Sequence, residues 1–240
     1  MAYSKSTSRK SFEEKVDHLL RTARLASLKR ANNSASVIEL VMHAAIFETS
    51  AALEEYIKDF FEHYEFVLHR NECLISNLPQ NTIAFLYLKA NKVSSSLYIE
   101  KRDERKAIEK VCIDENSLKL LNANQIFTRG LGLKNIISDK KYPTPKNWKL
   151  LFNRFGINDF HVKVDPILKG SSRNIMDSFN DIRTAIAHEN PPALTFLDIS
   201  KHLDNIVKLV SALDRMLHTH VCSHSGKPSW PNRQMLSFSA

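Results

Sequence analysis

Apolar residues recur at steps of three and four positions along most of this chain, and strict alternation of apolar and polar residues is nowhere sustained. The first pattern is that of amphipathic helices, which turn once every 3.6 residues, whereas half-buried strands would alternate. Only 5 Gly and 8 Pro occur among the 240 residues, so the turns of a strand-rich fold would be hard to supply. The pattern predicts an all-α fold, a bundle of helices.

The first predicted helix begins at a capping box, Ser11–Glu14, in which the Ser hydroxyl accepts from a backbone N–H and the Glu side chain reaches back. It continues to about Lys29–Arg30, and Asn32–Asn33 ends it. Its polar face is rich in Lys and Arg. We expect that face to be solvated, with contact to RNA as the lesser alternative.

The longest predicted helix spans about 36–68 and begins at a second capping box, Ser36–Glu39. It contains no Gly or Pro and is apolar over much of its circumference, which is typical of a helix with neighbours on several sides. We expect it to be the central helix of the bundle. Any one of its glutamates, among them Glu48, Glu54 and Glu55, is expected on the solvent side.

The segment from Ile175 to Asn190 predicts a further amphipathic helix, which the Pro191–Pro192 pair ends. An apolar stripe covers one side of it: Ile175, Phe179, Ile182 and Ile186. Two residues near the C-terminal end of this helix, Arg183 and His188, are not part of that apolar stripe. A guanidinium can grip a phosphate and an imidazole can move a proton near pH 7. The two residues therefore suit phosphodiester cleavage without a metal.

The spacing of this pair sets a geometric condition. Five helical residues advance about 500°, so the side chains of Arg183 and His188 point about 140° apart on a straight helix. Either His188 lies on a last turn loosened by the prolines, or two copies of the helix assemble the site. The plain alternative is a surface Arg with a His whose charge is favourable near the C-terminal end of the helix dipole.

The remaining segments complete the predicted organisation. A basic connector is expected over 160–169, and an amphipathic helix is expected over Thr195–His220, beside the helix of Arg183. We expect one domain that includes a basic N-terminal helix, residues 1–33, and continues as a helical bundle over residues 34–220. Residues 221–240 have weak periodicity and are expected to form an extended or flexible tail.

Charge and length narrow the class of protein. A chain of 240 residues is long enough for one domain with a substantial core. Its net charge of +8 favours polyanionic partners such as nucleic acid, although many soluble proteins are basic without binding any.

Cysteine use and the lack of targeting signals indicate a cytoplasmic protein. The three cysteines, Cys73, Cys112 and Cys222, are widely spaced and odd in number, which favours free thiols in a reducing compartment. The N-terminal residues lack the apolar region of a secretory signal, and no run of 18 uncharged apolar residues predicts a membrane span. We therefore expect no contact with a membrane.

One cluster near the C-terminus contains metal-ligand types: His218, His220, Cys222 and His224. Alternate positions suit an extended strand better than a helix, and no second cluster completes a tetrahedral site. The sequence therefore predicts neither a metal nor another cofactor.

Three segments carry a family resemblance. The run from Arg183 to Glu189 resembles the Arg-x(4–6)-His motif of the HEPN superfamily, the all-α ribonuclease and nucleotide-binding domains of prokaryotic defence and toxin systems. Residues 53–58 resemble the Glu-bearing helix of the larger HEPN families, and residues 148–157 resemble the segment that often precedes the catalytic helix. The chain is most similar to the RiboL-PSP-HEPN family and one further HEPN nuclease family, over roughly residues 35–220.

The resemblance implies a metal-independent endoribonuclease, in bacterial phage defence or in a toxin–antitoxin system. His188 would be the general base or acid, Arg183 would stabilise charge on the phosphorane, and Thr184 and Glu54 would support them. HEPN ribonucleases commonly pair their motif helices across a homodimer, and an antitoxin or regulatory protein is a further expected partner.

One departure from the family pattern supports an alternative. Many members carry Asn directly after the Arg, where this chain has Thr184, whose hydroxyl still donates and accepts. The alternative is a non-catalytic HEPN module that binds RNA, a nucleotide or a partner protein. A plain helical scaffold that uses its basic surface for a protein partner is the third hypothesis.

Overall fold

The chain folds into helices joined by short loops in a computed structural model, which describes residues 2–113, 118–128, 132–137, 143–188 and 193–232. The α-helices of these residues are α1 (Thr7–Ala26), α2 (Ala35–Arg70), α3 (Gln80–Ala90), α4 (Lys92–Ile99), α5 (Glu104–Ile113), α6 (Pro145–Arg154), α7 (Phe160–Leu168), α8 (Ser172–Ala187) and α9 (Phe196–His224). Short 3-10 turns connect several of them, and the only bridge within the described ranges is an isolated one between Leu74 and Ile126. The predicted all-α fold is confirmed.

Helix α2 is the centre of the bundle, as its composition predicts. Its apolar residues from Met42 to Leu68 are buried over a broad arc, and α1, α8 and α9 all pack against it. By length and composition α2 is also the one helix in the described ranges that could cross a membrane. In the folded chain 39% of that apolar window is buried against the other helices.

The two predicted capping boxes are wrong in position. Helix α1 begins at Thr7, capped by Ser6, whose hydroxyl accepts from the backbone N–H of Arg9. Ser11 therefore lies inside the helix. Helix α2 is capped by Ser34 rather than Ser36. In both cases a Ser upstream of the expected one starts the helix.

A buried carboxylate explains the early start of α1. Asp214 of α9 accepts hydrogen bonds from the Ser6 hydroxyl, from the Ser6 backbone N–H at 3.1 Å and from the Tyr3 hydroxyl at 2.6 Å. Burial raises the pKa of Asp214, while these hydrogen bonds act in the opposite direction. Since Asp214 is fully buried, losing these donors would leave its carboxylate unsatisfied, so the contact fixes the N-terminal segment on α9.

The expectation of a tail from residue 221 is wrong for the residues described. Helix α9 continues to His224, and Val221 is buried beside the core. Trp230 is only 2% exposed, and its indole N–H donates to the Ser4 carbonyl oxygen at 2.9 Å. Burying so large a side chain contributes on the order of 2–3 kcal/mol, which is enough to hold this segment on the body. Residues 233–240 lie outside the described residues.

The expected connector over 160–169 is also wrong, because α7 occupies it. Asp159 caps this helix by accepting from the backbone N–H groups of His161 and Val162. Phe160 and Val164 are fully buried, so packing stabilises the helix despite the proline within it, Pro166.

Candidate functional site

Helix α8 positions Arg183 through an apolar stripe. Ser171 caps the helix by accepting from the backbone N–H of Asn174. Met176 and Phe179 are each 2% exposed and face the core. Arg183 follows Phe179 by four residues and Met176 by seven, so it extends the same inward-facing line. The guanidinium is thus carried toward α2 rather than away into solvent.

The guanidinium of Arg183 rests on an aromatic ring of α2. Its central carbon lies 5.7 Å from the centroid of the Phe47 ring, and the Nε atom is buried. The residue as a whole is half-buried. A cation over an aromatic face is attracted by the ring quadrupole, by about 0.5–1 kcal/mol at a partly exposed site. The contact also restricts where the planar group can point.

His188 is the residue at which α8 ends. Its backbone is extended, with φ −102° and ψ 172°, while its N–H still reaches the Ala185 carbonyl oxygen at 3.3 Å. The side chain is exposed. The chain leaves helical geometry here, as the double proline predicts, although Glu189 and the prolines themselves lie outside the described residues.

Arg183 and His188 therefore lie on different sides of the helix end. Arg183 faces inward on the stripe, whereas His188 is exposed at the C-cap, where the backbone is extended. Thr184 is exposed and shares the side of His188, four residues before it. Asp181 is exposed on that side as well. One chain thus presents the imidazole and the Thr hydroxyl together, apart from the guanidinium.

Glu54 lies on the same side of α2 as Phe47. The two residues are seven positions apart, which places them in line and about 10 Å apart along the axis. Glu54 is half-buried. The guanidinium of Arg183 lies over the Phe47 ring of the same helix. The expected support of the Arg by Glu54 stays a prediction.

The N-terminal end of α8 holds a second cluster of chemically active residue types. The Ser172 hydroxyl donates to the Asp165 carboxylate and lies 2.7 Å from Nδ1 of His161. The Ser172 backbone N–H donates to the same carboxylate oxygen at 2.8 Å. Burial, and then the positive charge of Arg173, lower the pKa of His161. Ser172 is fully buried, so no substrate can reach its hydroxyl, and the cluster fastens α7 to α8.

Sequence reasoning missed Phe47 as a site residue. Nothing in the sequence around an aromatic residue on a long apolar helix indicates that its ring contacts an Arg of another helix. It also missed Asn180, whose side-chain N–H donates to the Pro143 carbonyl oxygen at 3.0 Å and ties the segment before α6 to α8. The sequence signal for Asn180 was an amide side chain about one turn before Arg183.

The histidines near the C-terminus lie on a helix rather than on a strand. His218 and Cys222 are one turn apart with 3.6 Å between Nε2 and Sγ. His220 and His224 form another such pair, and burial lowers the pKa of His220 to about 4. The Nε2 of His220 is 2.7 Å from the Phe155 carbonyl oxygen. Within the described ranges no three His, Cys, Asp or Glu side chains converge as metal ligands.

The all-α bundle defines the class of fold, and comparison with known families shows which family has it here. The family model of RiboL-PSP-HEPN matches residues 13–219. The chain therefore belongs to the RiboL-PSP-HEPN family. No curated protein and no solved structure matches it.

Proposed function

We propose that the chain is a metal-independent endoribonuclease. The observation that carries the proposal is the C-terminal end of α8, where Arg183 is held on the Phe47 ring and an exposed imidazole, His188, ends the helix. Membership of the HEPN family and the net charge of +8 agree with RNA as the substrate.

The residues divide the chemistry between proton transfer and charge stabilisation. His188 takes the proton of the ribose 2′-OH, or gives a proton to the leaving oxygen, since an imidazole can do either near neutral pH. Arg183 stabilises the phosphorane with its fork of N–H donors. Thr184, on the same side as His188, offers a hydroxyl to a phosphate oxygen. Glu54 is kept as a supporting residue on the α2 side.

The step is balanced without a further reactant. The 2′-oxygen forms a bond to phosphorus, the bond from phosphorus to the 5′-oxygen breaks, and the 5′-oxygen leaves with a proton. The products are a 2′,3′-cyclic phosphate and a free 5′-OH. Because the nucleophile is the 2′-OH, the reaction cannot take place on DNA.

A non-catalytic RNA-binding or protein-binding module is the second candidate. The observation that favours it is the separation of Arg183 from His188 in one chain, with an acidic side chain, Asp181, on the His side. Thr184 in place of the family's Asn favours it too. In that case Arg183 would hold a phosphate or a carboxylate and no bond would break.

The biological setting follows from the family resemblance. We propose a cytoplasmic enzyme of bacterial phage defence or of a toxin–antitoxin pair, controlled by an antitoxin or a regulatory protein. An exposed site on a stable bundle would need such control, because indiscriminate cleavage of RNA would harm the cell that makes the enzyme.

Cleavage of an end-labelled RNA pool in EDTA tests the proposal. The wild-type protein is compared with Arg183→Ala and His188→Ala, and the product ends are identified. We expect cleavage by the wild type only, with 2′,3′-cyclic phosphates, because each substitution removes one half of the chemistry.

Binding of the same RNA is measured in parallel by fluorescence anisotropy. Cleavage that both variants retain would place the activity elsewhere or in a contaminant. Intact binding without cleavage by the wild type would select the binding module.

A further inference from the structure

A pocket lies between α3, α4 and α5, and among the described residues none of α2 or α8 lines it. Its volume is about 390 Å³, within the range of about 300–1,000 Å³ that ligand sites commonly have. None of the described residues that line it carries a charge. We name it the α3–α5 pocket. It is separate from the candidate site at the C-terminal end of α8.

The mouth of the α3–α5 pocket exposes large apolar side chains to solvent. Tyr98 of α4 is 59% exposed, and Leu88, Ile99 and Ile108 are exposed as well. Large apolar side chains grouped on one exposed surface typically mark a binding site. Tyr98 adds an aromatic ring, on which a flat ligand can stack.

Two nearly buried polar side chains of the pocket have unused hydrogen-bonding capacity. Ser94 is 6% exposed, and within the described ranges its hydroxyl has no hydrogen-bond partner. Asn91 is 7% exposed, and its side-chain N–H donates to the Tyr87 carbonyl oxygen at 3.0 Å. Because a carbonyl oxygen only accepts, this bond fixes the orientation of the amide and leaves Oδ1 as an acceptor. A ligand that donates N–H groups can therefore pair with both side chains.

Cations flank the α3–α5 pocket at the two ends of α4. Lys92 begins this helix, and Lys101 and Arg102 follow shortly after its last residue, Ile99. All three cations are exposed. Residues 89–113 contain seven Lys or Arg against four Asp or Glu, so the surface around the pocket attracts an anionic ligand.

We infer that the α3–α5 pocket binds one unpaired nucleotide of an RNA strand. The face of the base packs on Tyr98 and the aliphatic walls, its edge donates to Asn91 and Ser94, and the neighbouring phosphates lie near the cations at the ends of α4. Such a site would hold RNA for a nuclease and for a non-catalytic module alike, which takes the inference beyond the proposed function.

The two polar side chains favour a base over an apolar side chain of a partner protein. A Leu or Phe would cover the Ser94 hydroxyl and the Asn91 Oδ1 atom without pairing them, which destabilises a complex. The amino group of adenine or cytosine donates to such an acceptor, whereas uracil has a carbonyl oxygen at the corresponding position. We therefore expect adenine and cytosine to bind better than uracil.

Binding of 2′-O-methyl RNA tests the pocket without cleavage, because the 2′-OH nucleophile is blocked. Labelled octamers of A, C and U are compared by fluorescence anisotropy. The wild type should bind the A and C octamers about threefold or more tighter than the U octamer, and Ser94→Ala should reduce that preference. Equal affinity of the wild type for all three octamers would overturn the recognition of the base edge.

Substitution of Tyr98 tests the stacking surface. Tyr98→Ala should weaken binding of the A octamer by about tenfold, whereas Tyr98→Phe keeps the ring and should bind like the wild type. Val93→Ala is the matched control, since Val93 is 57% exposed on the same helix and does not line the pocket. Equal affinities of Tyr98→Ala and Val93→Ala would overturn the inference.

Alkylation of Cys112 tests where the RNA binds. Cys112 is exposed and lines the pocket, whereas Cys222 is half-buried on α9 and lies outside it. Saturating A octamer should slow the modification of Cys112 by N-ethylmaleimide by about tenfold, as access to the thiol is blocked, and leave that of Cys222 unchanged. RNA binding without protection of Cys112 would overturn the inference. Protection by a helical peptide rich in Leu and Glu, and not by RNA, would assign the pocket to a protein partner and overturn it as well.

Cleavage by the same variants separates this inference from the proposed function. Under that function Tyr98→Ala should raise KM by about tenfold and leave kcat unchanged, because the pocket holds RNA away from the reacting bond. A protein that cuts no RNA, but in which RNA protects Cys112, would retain the pocket and remove the nuclease. A nuclease whose Cys112 stays unprotected would lose the pocket alone.

Discussion

The two ends of α8 carry similar residue types and differ in what surrounds them. At the N-terminal end Ser172 is fully buried and His161 is 8% exposed, and with Asp165 they hydrogen-bond to one another. At the C-terminal end, about 16 Å further along the axis, Arg183 is half-buried against a ring and His188 is exposed. The first cluster satisfies its polar groups internally, whereas the second presents them.

Burial distinguishes the structural cluster from the proposed catalytic one better than residue type does. A Ser, a His and an Asp in mutual contact suggest a nucleophile with its base. Burial excludes that role for Ser172, since the hydroxyl has neither access to substrate nor a free donor. Arg183 and His188 form a less familiar motif, but Arg183 is only half-buried and His188 is exposed. The contrast predicts that substitutions at one end change stability and those at the other change activity.

The largest expected effect is that of Arg183→Ala on RNA cleavage. Removing a donor that stabilises charge in a transition state costs about 10²–10³-fold in rate, or about 2.7–4 kcal/mol. The free energy of unfolding should change by about 1 kcal/mol or less, because the side chain is only half-buried. Single-turnover cleavage and urea denaturation measure the two quantities on the same preparation.

Arg183→Lys is the matched control for charge. It keeps the cation and loses the planar fork, so it should recover only a minor part of the rate. Full activity of the Lys variant would mean that the charge alone acts, and a large loss of stability in the Ala variant would make Arg183 a structural residue like those at the other end.

The next effect in size is the destabilisation by Asp165→Ala. It removes the acceptor of two hydrogen bonds from Ser172 and should lower the free energy of unfolding by about 2 kcal/mol. Folded molecules should cleave RNA at nearly the wild-type rate. Asp177→Ala, at an exposed site on α8, should stay within about 0.5 kcal/mol of the wild type. A rate loss as large as that of Arg183→Ala would contradict the division between the two ends.

Much of the helical frame could be predicted because the signals are local. The capping residue Thr195 and the stripe that follows it fix the start of α9, and α2 extends only a little beyond the predicted 36–68. The wrong predictions concern segments whose structure depends on contacts with residues far away in the sequence. Ser6 caps α1 because Asp214, 208 positions away, accepts from it. Trp230 is held by packing and by Ser4, which no local pattern announces.

In the candidate site, too, the local features could be predicted and the contacts between helices could not. The end of α8 at His188 follows from the double proline, and the inward stripe follows from periodicity. The ring under Arg183 could not be predicted, because Phe47 belongs to another helix and its contact depends on how the two helices cross. The exposure of Leu40 and Phe47 could not be predicted either, since apolar residues of a long apolar helix would be assigned to the core by sequence alone.

A smaller effect is expected on the pH dependence of stability. The pKa of His161 is lowered by burial, so the folded chain binds a proton less readily than the unfolded chain. The stabilisation is complete above the ordinary His pKa of about 6.5 and is lost as the pH falls below it, by at most about 1.4 kcal/mol per pH unit. His161→Asn should therefore lose less stability than the wild type between neutral and acidic pH.

His188→Asn is the control at the other end of the helix. Its side chain is exposed in the folded chain, so the substitution should change the free energy of unfolding at neutral pH by about 0.5 kcal/mol or less. Urea denaturation across the same pH series compares all three proteins. A His161→Asn curve parallel to the wild type would show that His161 does not couple protonation to folding.

The smallest effect concerns the ring that supports Arg183. Phe47→Leu removes the aromatic face under the guanidinium and keeps a large apolar side chain, so the packing of α2 should be little changed. Loss of about 0.5–1 kcal/mol of orientation should slow cleavage by about two- to fivefold, whereas Phe47→Tyr, which keeps a ring, should stay near the wild type. Circular dichroism confirms the fold of each variant, and single-turnover rates give the effect. Equal rates for the Leu and Tyr variants would mean that apolar packing, rather than the aromatic ring, orients the guanidinium. The C-terminal end of α8 would then depend on packing just as the buried N-terminal end does.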